Sequence, residues 1–135
     1  MRLLAYRPEY IIRFNSEKNR LYYQPYELMS MARALPHYLA DWQRVLQYVR
    51  PEFTILTDTR LMLGPNLLLA DTYAAAQRLL VAAQVRVVAE VHPASSATNQ
   101  TSRAISRQTA MPVYIFSSVH EAEAFLDNLV LESQK

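Results

Sequence analysis

Apolar residues recur along this chain at two periods, and the alternation between them divides it into strands and helices. Tyr10 to Phe14 and Arg20 to Tyr23 are short apolar runs on either side of the polar stretch Asn15 to Asn19. That pattern predicts a β-hairpin, closed by Pro25. A helical spacing of three and four then runs through Leu28, Met31, Leu35, Leu39, Trp42, Val45, Leu46 and Val49, which places all of them on one face. Pro36 lies inside this pattern; it lacks an amide donor and crowds the preceding turn, so a kink or break is expected there. Phe53 to Asp58 reads as a buried strand. Asn66, after the single glycine Gly64 and Pro65, is placed to cap a helix over about Leu67 to Gln84. Val85 to Val91 is the next strand, stopped by His92 and Pro93. Ser95 or Ser96 can cap a helix reaching about Thr109, and Val113 to Phe116 is the last strand. Ser118 and Glu121 have capping-box spacing. The final helix is expected to bury Ala122, Phe125, Leu126 and Leu129, and both Trp42 and Phe125 are expected in the core.

The resulting order, β-β-α-β-α-β-α-β-α, predicts one α/β domain over residues 1–135. Its sheet should be mixed, mainly parallel and five-stranded, with right-handed crossovers and the first hairpin strand antiparallel at an edge. Composition narrows the compartment more than the chemistry. The chain is 51% apolar with a net charge of only +2, so it should fold. No apolar run reaches the roughly 18 residues of a membrane span, and the N-terminus has no long apolar signal core. Cysteine is absent, which removes disulfides, thiol nucleophiles and thiolate metal sites. A cytoplasmic location follows as the expectation. The arginines are dispersed, so no nucleic-acid-binding arm is expected.

Parallel strands deliver their carboxyl ends to one edge of a sheet, where open α/β folds place their sites. Asp58, Thr59 and Arg60 fall there. The carboxylate can accept a phosphoryl group or cap local amides, and Thr59 with Arg60 can bind an anion. His92 can join this edge or remain a loop residue. Ser95, Ser96, Arg103 and Arg107 belong to a polar segment, Ser95 to Gln108, that reads either as a solvated helix or as a partner surface for an acidic group. His37 and Asp41 stand one helical turn apart and read as a surface pair. No histidine has a metal-ligand spacing, no glycine-rich phosphate loop is present, and no matched acid, base and nucleophile can be named. The expectation is therefore no catalytic residue, no metal and no cofactor. Tyr6, Tyr10, Tyr22, Tyr23 and Tyr26 cluster around the hairpin. Alternation forbids Tyr22 and Tyr23 from sharing a face, and an aromatic edge hairpin is a candidate homodimer contact.

The strand Phe53 to Asp58, ending in an aspartate, and the segment Val113 to Leu126, with its strand, its Glu-Ala helix start and its terminal helix, resemble the STAS domain of bacterial anti-sigma-factor antagonists and of sulfate-transporter tails. The resemblance implies a non-catalytic regulatory module that binds another protein. Antagonists of that family carry a phosphorylatable serine at the start of the helix after the central strand. Here Thr59 is the one hydroxyl between Asp58 and Asn66, so a serine phosphoryl switch is not expected. The alternative is a binder of a lipid or small apolar ligand between sheet and helices, which requires unfilled volume beneath the helical pattern from Leu28 to Val49.

Overall fold

The structure, a computed structural model, describes residues 1–64, 66–93, 104–105 and 107–133. Six strands form one mixed sheet in sequence order: β1 (Arg2–Tyr6), β2 (Tyr10–Asn15), β3 (Arg20–Pro25), β4 (Thr54–Asp58), β5 (Val87–Val91) and β6 (Val113–Phe116). β1, β2 and β3 form an antiparallel meander, and β4, β5 and β6 add in parallel. The hairpin, the element order and the parallel half agree with the sequence pattern. The five-strand expectation does not, because Arg2–Tyr6 is a further strand. It pairs with the outer side of β2, so the hairpin is not an edge. The free edge on that side is β1, and the expected homodimer contact through the hairpin edge loses its unpaired backbone.

Because every parallel strand is laid beside its predecessor, each right-handed crossover falls on the same face. That face carries α1 (Glu27–Met31), α2 (Tyr38–Val45) and α3 (Ala70–Ala82), with helical residues at 104–105 and 107–109. Its core joins Tyr10, Ile12, Phe14, Leu21 and Ile55 to Met29, Tyr38, Trp42 and Leu80. α4 (Val119–Ser133) returns on the opposite face, where Ala122 and Leu126 pack on Leu56, Ala89 and Val91. No helix among the described residues is long and apolar enough to cross a membrane.

Pro36 does break the first helical pattern, and the break changes its phase. α1 ends at Met31 with Ala32 extended, and α2 restarts at Tyr38. Leu28, Met31 and Leu39 are exposed as a result, while Met29 and Tyr38 take the buried positions. Trp42 is buried as expected, but Phe125 is only partly so, lying against Tyr114 and Phe116. Asn66 caps the 3-10 turn Leu67–Leu69 by accepting from the Leu68 amide, and the Ser118 hydroxyl accepts from the Glu121 amide at 3.1 Å.

Two ionic networks fix the layers. Asp41 does not pair with His37 on the surface. It is buried and takes two 3.0 Å bonds from Arg7 and a third from the Tyr10 hydroxyl, tying α2 to the β1–β2 turn. Burial pushes the Asp41 carboxyl up, but these donors outweigh it and hold the group below its ordinary value. On the other face the fully buried Arg20 donates to Glu123 at 2.8 Å and to Asp127 at 2.9 Å, latching α4 across β3.

Candidate functional site

Parallel register builds the site from single residues. On the face under α2 and α3, Leu21, Ile55 and Val88 align in one lateral row. Two residues further along each strand the row is Tyr23, Thr57 and Glu90. Thr59 and His92 follow at the carboxyl edge, joined through the Thr59 amide and hydroxyl, which both donate to the Val91 carbonyl. The core thus turns from apolar to polar along the strands, and the helices above bury the polar rows without filling the space over them.

A cavity of about 120 Å³ remains between them. Its floor is Tyr23, Ile55, Thr57, Val88, Glu90 and His92; its walls are Met29, Tyr38 and Trp42 from α1 and α2 and Tyr73, Ala76, Gln77 and Leu80 from α3. The aromatic rings meet edge to face: Tyr23 with Trp42 at 5.2 Å between centroids, and Tyr38 with Tyr73 at 5.9 Å. Such contacts hold the rings in place without filling the centre.

Polar groups in this space are few and oriented. His92 Nε2 lies 2.7 Å from Glu90 Oε1, and both side chains are more than nine-tenths buried. Alternation makes the contact, since residues two apart on a strand share a face. The Tyr23 and Tyr38 hydroxyls bond each other at 3.0 Å. Burial pushes the Tyr23, Tyr38 and Tyr73 hydroxyls above their ordinary value, so each keeps its proton at neutral pH. Three buried polar atoms of residues that line the cavity have no hydrogen-bond partner among the described residues: the Tyr73 hydroxyl, His92 Nδ1 and Trp42 Nε1. The indole nitrogen stands beside the Tyr38 hydroxyl without well-formed hydrogen-bond geometry. Native interiors leave few such groups unmatched.

The residues singled out in the sequence divide between the two faces of the sheet. Thr59 and His92 reach the cavity. Asp58 lies on the opposite face, where it accepts from the Arg60 amide at 3.1 Å and from the guanidinium at 2.9 Å twice. Burial pushes the Asp58 carboxyl up, but Arg60 holds it below its ordinary value. Arg107 is exposed. Ser95, Ser96 and Arg103 lie outside the described residues. Among the described residues no group of His, Asp or Glu could hold a metal ion.

Glu90 is the floor residue that the sequence reading passed over. Its signal was present: a carboxylate inside the buried run Val87 to Val91, two positions before a histidine. Tyr38 and Tyr73 carried no comparable mark, because each reads as an ordinary core aromatic. No protein-family model, no curated protein and no solved structure matches this chain.

Proposed function

We propose that this chain is a small-molecule-binding domain whose ligand occupies the cavity between β3–β5 and the helices α2 and α3. The observation that carries the proposal is the unfilled space itself. It lies against the main hydrophobic core, is walled by aromatic and methionine side chains, and has oriented polar groups at one end, the usual composition of a ligand pocket. Its volume suits a body about the size of one aromatic ring. The scaffold of this reading is a STAS-like domain, supported by parallel strands added in sequence order after an antiparallel hairpin, to which the structure adds the further strand β1. The carboxyl-edge interaction surface is less well supported, because Arg60 already directs Nε and Nη2 to the Asp58 carboxylate.

Trp42 makes the test direct. It is the single tryptophan of the chain and it lines the cavity. Its emission should change on titration with one-ring aromatic compounds, and native mass spectrometry of freshly purified protein should show a small non-covalent adduct. An empty protein whose Trp42 emission ignores every such compound at millimolar concentration would end this reading. Loss of a protein partner on Arg60→Glu, with the cavity silent, would instead favour the interaction module.

A further inference from the structure

Two of the unmatched polar atoms, the Tyr73 hydroxyl and Trp42 Nε1, say what the ligand must bring. An indole N–H can only donate. A phenol hydroxyl that keeps its proton and bonds no acceptor among the described residues has that proton to give. Both groups line one cavity, and Tyr38 packs against the Trp42 and Tyr73 rings, at 6.3 and 5.9 Å between ring centroids. Buried donors without acceptors are costly, and a ligand oxygen placed beside them relieves that cost.

We propose that the ligand presents an oxygen acceptor, a carbonyl or a carboxylate, on a compact aromatic or alicyclic body, and that the Tyr73 hydroxyl and the Trp42 indole N–H receive it. This rests on the cavity being a binding site and adds the polarity of what it holds. The aromatic rings accept the apolar body through edge and face contacts, while the unpaired donors select against a hydrocarbon of the same shape. Discrimination of this kind is strong, because an analogue lacking the oxygen leaves the buried donors unmatched.

The test is an NMR titration of the full chain with acetophenone, with α-methylstyrene, which replaces the carbonyl oxygen by a methylene, and with benzoate. Acetophenone, benzoate or both should bind at least about tenfold more tightly than α-methylstyrene. Benzoate as the tighter of the two oxygen ligands identifies a carboxylate; acetophenone identifies a neutral carbonyl. Tyr73→Phe keeps the ring and removes one donor. It should reduce the oxygen advantage by at least about threefold without lowering the melting temperature, since the hydroxyl has no partner among the described residues to lose. Binding of neither acetophenone nor benzoate more tightly than α-methylstyrene would overturn the inference while leaving the cavity a site for apolar ligands. Failure of all three compounds to bind would remove the cavity reading and this inference with it. A Tyr73→Phe protein that melts well below the parent would show the hydroxyl to be a structural bond, and would equally overturn the proposal.

Discussion

Ala76→Leu should stabilise this protein and close its cavity in one step. Ala76 lies on α3, is 3% exposed and faces the empty volume. Leucine adds three carbons, and a cavity of about 120 Å³ has room for them. At roughly 0.8 kcal/mol per buried methylene the gain is about 2.4 kcal/mol. Ordering the leucine side chain costs about 0.5–1 kcal/mol, and helix propensity barely changes between the two residues. The net is a gain of about 1.5 kcal/mol, a rise of about 5 °C in Tm for a domain of this size. Scanning calorimetry and thermal unfolding followed by circular dichroism read it directly, and titration with acetophenone should show affinity reduced at least about tenfold. If the space were already occupied by side chains, the same substitution would overpack the core and cost about 1–3 kcal/mol. A variant that melts below the parent refutes the argument, and with it the claim that the core is unfilled.

Trp42→Ala should cost about 3–5 kcal/mol in chemical denaturation, because the indole is nearly fully buried and its loss enlarges the cavity; a cost under about 1 kcal/mol would contradict its place in the core. Arg20→Met, which keeps the stem but removes the guanidinium, should cost about 1–3 kcal/mol and speed hydrogen exchange in α4, whereas Lys18→Ala on the same carboxylates should change stability by under about 0.5 kcal/mol. Acid should unfold the protein in a defined window. The Asp41, Asp58 and Asp127 carboxyls are held below their ordinary value of 3.8, so the unfolded chain takes up protons first. Their contribution is fully present above about pH 4 and is lost as pH falls through the lower folded-state values. A urea midpoint unchanged between pH 5 and pH 2 would be inconsistent with these pairs.

Much of the architecture was legible because local signals carry it. The polar turn between Phe14 and Arg20 fixes the hairpin register, Pro36 keeps the chain from continuing as one helix, and Ser118 and Asn66 satisfy amides within their own turn. What escaped needed non-local information. Arg2–Tyr6 is a strand only because β2 offers it an unpaired edge, and its short run before Pro8 has no mark of its own. The phase of α2 relative to α1 depends on the chain path through Ala32 to His37, which decided that Leu39 would face water and Tyr38 the core. The cavity was legible only as a question. Sequence gives the volume of each side chain but not the distance between α3 and the sheet. Of the edge residues, alternation along β4 and its extension separates Asp58 from Thr59, and the pairing of β4 with β5 brings Thr59 beside His92.

The strand order also sets how this chain can assemble. Every strand pairs with its neighbour in sequence, so the sheet can grow outward from the meander one crossover at a time, with no strand waiting for a distant partner. The exception is the latch between residue 20 and residues 123 and 127, whose separations of 103 and 107 exceed those of the neighbouring-strand pairings. Until α4 folds back, the Arg20 guanidinium has no carboxylate, and Leu56, Ala89 and Val91 have no cover on their face. The last helix therefore acts as a completion check. A chain cut before Val119 should keep the meander and its crossovers only as an aggregation-prone intermediate, because the face that α4 covers would remain open to other chains.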